Sequence, residues 1–445
     1  MNNTGVLVWF FTVSICVLAP RGMAADCEPG ALQASQVDAY LRAYDSLGPH
    51  RSGTAGDKKT AAYLSRKFSE LGYDVSRQDF PVPDHSVLDA DALLGEARVE
   101  LVAQPPVSQQ REMSGHLVYW SYREGIDIPV GGDQSILLVE LPAARYSSFN
   151  SYSIRGLLGE VESARPQFKA IILITNGASG EAQLLNVRPG KAEIPLFLVA
   201  PRRAQVLRQA ALRHEQVTIR SRVSAGSLQA SNVIATRLQP GKPHIVISTP
   251  ISGWGHSVGE RGPGFAGSLS IADWARCALP DHSLTFVATS GHELVNLGSE
   301  HYLDTLAPEP EVVALWLHLG AGWGARDYQD LGASMLPLEH ADSYRFLMVD
   351  ATLKPFLSRK FKSMPGLANA HTFDEGSAGG ELSDIHARGY RAFGLFGAHK
   401  FHHVASDRYL RTGTELVLPV LDALQESLSA MANANLVAEP QREGD

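Results

Sequence analysis

Basic clusters, cysteines and long apolar runs are all scarce in this chain of 445 residues. Lys and Arg total 39 against 47 Asp and Glu, for a formal net charge of −8, and no Lys/Arg-rich run stands out. Nucleic-acid binding is therefore not expected, because phosphate recognition needs clustered cations. The mild acidity favours solubility. Only Cys16, Cys27 and Cys277 occur, and no Cys-based metal motif is present. If residues 1–25 are removed on export, Cys27 and Cys277 remain, and in an oxidising compartment they could pair. After the first segment no second long apolar run appears, which excludes a multi-pass membrane protein. There is no internal repeat.

What is present is ordinary globular composition, 44% hydrophobic and 19% charged. The length exceeds one typical core, so two domains are expected. Residues 6–18 form an apolar run, and Gly22-Met23-Ala24-Ala25 supplies small residues for cleavage. Residues 1–25 thus read as an export signal, although the first five residues carry no Lys or Arg. The alternative, an uncleaved anchor, has to contend with a run shorter than the roughly 20 residues that span a bilayer. The expected location is periplasmic or fully secreted, with no stable membrane span once the signal is gone. Oligomeric state is not legible.

Residues 31–72 carry apolar positions at three- and four-residue spacing, as in amphipathic helices. Residues 73–80 alternate like a strand. From about 95 to 228 short β-rich runs dominate, at 115–120, 135–141, 170–175 and 195–199, followed by a helix over 201–213. From residue 231 strands and helices alternate. Continuous apolar strands are expected at 244–248, 284–289, 312–317 and 392–396, with helices at 266–278 and 294–306. This predicts an α/β fold with a mostly parallel mixed sheet flanked by helices on both faces. A compact β-rich module is inserted between its two parts. The expected division is 26–94 plus 229–445 for the α/β domain and 95–228 for the insert.

Ligands of such sheets bind at the carboxyl ends of the strands. Polar groups gather there. Ser290, His292, Glu293, Glu300 and His301 follow one strand, and His318 follows the next. His399, His402, His403 and Asp407 follow the last, while Ser252, His256, Glu260 and Arg261 follow the first. Imidazole and carboxylate are the usual ligands of zinc. Most isolated histidines beside glycine are structural, but the joint placement of His292, Glu293, His318 and His403 points to a shared polar site. Ser252 and Ser290 lie in no Gly-x-Ser-x-Gly elbow, which argues against a serine triad.

At this point the chain resembles secreted di-zinc aminopeptidases, whose relatives include glutamate carboxypeptidases and glutaminyl cyclases. The resemblance runs through Arg51-Ser52-Gly53-Thr54-Ala55-Gly56, Gly72-Tyr73-Asp74-Val75, Ser231-Asn232-Val233-Ile234-Ala235 and, most specifically, residues 291–302. The insert resembles a protease-associated domain, which in such enzymes can shape substrate access. The resemblance places the family's paired glutamates on His292-Glu293. It implies Glu293 and His403 as retained metal ligands and His318 where the family has an aspartate. The first histidine ligand falls near Pro250, and the metal-bridging aspartate falls near Pro263. Without that bridging anion two adjacent metal ions would repel.

The expectation is therefore a hydrolase of peptide or other amide bonds with one zinc ion rather than two. Its ligands would be Glu293, His318 and His403, with His292 as general base and Asp407 or another carboxylate orienting His403. An inactive family member that binds a peptide or an envelope partner is the alternative. In a third reading no metal takes part. Gly259-Glu260-Arg261-Gly262-Pro263-Gly264 then offers backbone donors, Glu260 or Glu381 serves as acid or base, and Arg261 binds a carboxylate. The same six residues could instead be a tight turn before the helix at 266–278.

Overall fold

A computed structural model describes residues 32–434 except 85–86, 106–111, 122–126, 133, 144–167, 187–193, 225, 333 and 377. The expected export signal lies outside the described residues. Among those described, no helix is long and apolar enough to cross a membrane.

The main sheet has eight strands. In spatial order they are Asp74–Pro83, Ser227–Arg237, Ser283–Thr289, His244–Pro250, Val313–Leu319, Ala392–Gly397, Arg345–Val349 and Ala370–Thr372. The central four run parallel, and antiparallel pairs flank them on both sides. Every residue of Ser283–Thr289 and Val313–Leu319 is buried, as strands covered on both faces must be. Alternate side chains divide between two cores. Ile245, Ile247, Phe286, Leu315 and Leu317 pack on one face with the helices Ala34–Ser46, Ala55–Glu70, Val258–Ala278 and Thr414–Asn433. Val246, Val287 and Trp316 pack on the other with Leu297–Thr305 and Glu381–Ala387. The α/β architecture expected from the sequence is the one observed.

A second eight-stranded sheet uses strands from Val87–Leu94 to Gln216–Val223 and has its own apolar cores. The strand Val87–Leu94 belongs to this sheet by pairing with Gln216–Val223, although the sequence reading assigned residues up to 94 to the main domain. Its alternating apolar residues fit either sheet, and only the pairing decides.

Two further elements differ from expectation. In place of one helical stretch over 31–72 there are two helices, Ala34–Ser46 and Ala55–Glu70, separated by the loop through Pro49 and Gly53. The helix expected from 266 starts at Val258, so residues 259–264 are its first turns and not a turn before it. Cys277, near the end of that helix, is disulfide-bonded. The other two cysteines of the chain lie outside the described residues.

Candidate active site

The start of helix Val258–Ala278 is tied to the loop after the last parallel strand. Asp407 accepts from Gly259 N (2.8 Å) and Glu260 N (3.2 Å) through its carboxylate, and from Val258 N through its carbonyl. Such a cap satisfies N–H groups that a helix leaves unpaired, and its charge suits the positive end of the helix dipole. Asp407 therefore does not orient His403, as the sequence reading had it; its side chain caps the helix and lies 3.5 Å from His399.

The cap fixes Glu260 and Arg261 in the interior, where both side chains have 0% exposure. Arg261 Nη2 is 2.6 Å from Glu260 Oε1. Arg261 Nε donates to Ser252 O at 3.0 Å. Glu260 Oε1 also faces two imidazoles, His403 Nε2 at 3.4 Å and His402 Nε2 at 3.6 Å. Burial opposes ionisation of the Glu260 carboxyl, but the Arg261 guanidinium beside it holds the group well below its usual range. His402 itself is held neutral, mainly by burial.

His403 has φ = 61°, a left-handed conformation that a non-glycine residue adopts only when its surroundings compel it. Here the loop through Leu184, in the second module, holds it. His403 O accepts from Leu184 N (3.2 Å), and His403 Nδ1 lies 2.9 Å from Leu184 O. A carbonyl can only accept, so Nδ1 carries a proton and Nε2 is the ring nitrogen that faces Glu260.

Among the described residues, Glu260, His402 and His403 form a set whose ligand atoms all lie within 4.8 Å of one another. The trio expected from the sequence, Glu293, His318 and His403, is not assembled in this way. Glu293 is committed elsewhere. Its Oε1 accepts from Ser52 N and Ser52 Oγ, and its Oε2 from Ser252 Oγ, each at 2.7 Å. His318 lies at the end of its strand with Nδ1 2.9 Å from Ser248 Oγ, and burial lowers its pKa to about 4.

His292 sits where the sequence reading sought a base. Its Nδ1 is 3.2 Å from Glu381 Oε1, and Glu381 also accepts from Thr289 Oγ1 at 2.9 Å. Burial pushes Glu381 up, and it pushes His292 well below the ordinary imidazole range. His292 is thus a neutral imidazole anchored through Nδ1, with Nε2 left over. Gly380 allows the close approach, since a Cβ there would lie 3.1 Å from His292 Cε1 at a φ of +60°. Ser290 Oγ donates to Asp57, and Ser252 Oγ donates to Glu293, so neither serine is paired with a histidine as a triad nucleophile would be. His301, on the helix Leu297–Thr305, has its ring tilted against Phe80 with centroids 5.6 Å apart and is not part of the trio.

The sequence reading singled out Glu260, His292 and His403 but passed over His402 as a ligand. The histidine run 399–403 after a buried strand was the available signal.

The architecture is the fold of the zinc aminopeptidases, as solved structures similar to it show. No family model matches the chain. In sequence it is similar to aminopeptidase YwaD of Bacillus subtilis, 23% identical over 279 residues, which cover 59% of this chain and 56% of that protein. The chain thus spans about half the length of the curated relative it matches. In structure it is similar to BSAP, a zinc aminopeptidase from Bacillus subtilis, with a TM-score of 0.68 and 14% identity over 93% of this chain and 97% of that one. A peptidase M28 precursor from Shewanella amazonensis gives the same TM-score and coverages at 20% identity.

Proposed function

We propose that this chain is an exported hydrolase of peptide or other amide bonds, and that Glu260, His402 and His403 hold one zinc-class ion. The observation that carries the proposal is the spacing of the trio. Bonds of about 2.0–2.1 Å to a tetrahedral zinc separate neighbouring ligand atoms by about 3.4 Å. Both imidazole nitrogens lie 3.4–3.6 Å from Glu260 Oε1, too far for a good hydrogen bond and right for a shared ion. Neither carboxylate oxygen of Glu260 has a hydrogen-bond partner among the described residues. A carboxylate and two imidazoles are a donor set found in catalytic zinc sites. The zinc aminopeptidases similar in fold support the choice of metal and bond.

The ion, when bound, lowers the pKa of a coordinated water. The protein supplies the rest. The Leu184 carbonyl accepts from His403 Nδ1, which leaves Nε2 as the nitrogen that would face the ion. His292 Nε2 would serve as the proton acceptor, while Glu381 fixes the ring through Nδ1. Burial of the cluster excludes bulk water. Export rests on the apolar first segment with its small-residue cleavage site.

Metal analysis after zinc loading and dialysis tests the site. About one ion per chain is expected, falling in Glu260→Gln and His402→Ala, and less than about 0.2 in the wild type overturns the reading.

Binding without turnover is a second reading, favoured by one observation: the Arg261 cation lies against the carboxylate that would hold the ion. Peptide turnover that disappears in both Glu260→Gln and His292→Ala would dismiss it.

A further inference from the structure

Carboxyl ends of parallel strands from both sheets meet at an open cavity of about 520 Å³. That volume lies within the roughly 300–1,000 Å³ of small-ligand sites. Ala143 follows the strand Ser135–Glu140, Asn176 to Ala178 follow Phe168–Ile174, and Lys400 follows Ala392–Gly397. The hairpin of Arg326–Asp330 and Met335–Ala341 supplies the remaining wall. Such strand ends are where open parallel sheets bind ligands. Glu260, His402 and His403 do not line this cavity.

The charged groups that line it are Asp327, Asp330 and Lys400. Lys400, 5% exposed, donates to Asp327 Oδ1 and to Tyr328 O (2.6 Å), so these two charges offset each other. Asp330 accepts from Gly332 N (2.7 Å) and has no cation within ion-pair distance among the described residues. The lining thus carries one unbalanced negative charge. Asn176 spends its amide N–H groups on Glu140 Oε1 and Leu141 O, which leaves Oδ1 as an acceptor. Ala143, Ala178 and Leu338 contribute apolar surface. One more polar group lies at the wall. The side-chain amide of Gln183, 1% exposed, has no hydrogen-bond partner among the described residues. It rests against the lining residue Gly177, where a Cβ would come 2.1 Å from Gln183 Nε2. A buried amide left unmade is uncommon and is satisfied by a water or ligand beside it.

We propose that this cavity binds a primary ammonium on an alkyl stem, with the head paired to Asp330 and the stem along the apolar wall. A lysine side chain and a free diamine share that chemistry. An anion would instead meet the Asp330 carboxylate and a lysine whose charge is already offset. The site goes beyond the hydrolase reading and uses neither the trio nor an ion.

The test is a ligand-observed NMR titration of the full-length protein with three probes. They are Nα-acetyl-lysine amide, cadaverine, and Nα-acetyl-norleucine amide, which keeps the stem without the charge. One or both amines should bind at least about threefold more tightly than the norleucine probe, the scale of a partly solvated ion pair. Which of them does so identifies the source of the ammonium. Asp330→Asn keeps an oxygen for Gly332 N on an exposed turn and should abolish the preference. Equal binding of the three probes, or a preference that survives Asp330→Asn, overturns the proposal. Ala178→Trp fills the cavity and should remove amine binding, and unchanged binding there also overturns the proposal. Should Ala178→Trp fold poorly, Asp330→Asn decides alone. Neither turnover nor metal is read, so failure here leaves the hydrolase reading standing.

Discussion

Asp57 offers the clearest link between the buried polar network and stability. It is 1% exposed and accepts from Gly53 N (2.8 Å) and from Ser290 Oγ (3.0–3.1 Å). Burial, helped by the charge of Glu293, raises its pKa from 3.8 to about 7 despite those hydrogen bonds. A carboxyl whose folded pKa exceeds its unfolded value stabilises most when protonated. Its contribution is complete below the unfolded pKa and is lost as pH rises through the folded one. Over the whole window the loss is roughly 4 kcal/mol, and between pH 5 and pH 8 roughly 2–3 kcal/mol. Asp57→Asn removes the ionisation while keeping the shape and one acceptor. The stability of the wild type relative to Asp57→Asn should therefore fall by roughly 2–3 kcal/mol from pH 5 to pH 8. His50 and His318, pulled down to about 3 and about 4, act with the opposite sign, losing stability as pH falls. They are common to both proteins and cancel in the difference. Urea unfolding at four pH values in one ionic strength measures it, with the slope of each curve checking that the same transition is compared. Two stability curves that stay parallel within about 0.5 kcal/mol would refute the reasoning, because Asp57 would then titrate as an ordinary carboxylate.

Two further outcomes are expected. Gly259→Ala places a Cβ 2.7 Å from Asp407 Oδ1 and 2.9 Å from His399 Cε1, so the helix start must shift. The expected loss is about 1–3 kcal/mol with reduced zinc content, read by unfolding and metal analysis. Glu381→Gln releases the hold on His292 Nδ1. Turnover should drop by about 10²-fold or more with metal content unchanged, and loss of less than twofold would remove this pair from the chemistry.

Much of the fold was legible because buried parallel strands are written as unbroken apolar runs, as at Val313–Leu319. The strand ends then located the polar residues. What stayed hidden was the start of the helix Val258–Ala278. Gly259, Gly262, Pro263 and Gly264 read as a turn by propensity. Tertiary packing overrides that preference. A Cβ at Gly264 would lie 2.2 Å from Thr249 Oγ1, so the helix approaches the strand end closely only with glycine there. Its cap, Asp407, lies 148 residues from Gly259, beyond any local pattern. The partner choice of Glu293 was hidden for the same reason. Ser52 is 241 residues away, and it claims the carboxylate that the resemblance would give to a metal.

The paired hydrogen bonds between Leu184 and His403 join loops of the two modules at the site itself. Trp254 Nε1 to Asn186 Oδ1 (3.0 Å) and Ser406 to Glu181 reinforce the same seam. The second module is consequently no portable cassette. Cutting it out, or exchanging it for a relative's, would leave His403 without the carbonyl that sets its proton and without the bonds that hold its left-handed backbone. The smallest competent unit of this protein is both modules together, and sequence change on either side of the seam is constrained by the other.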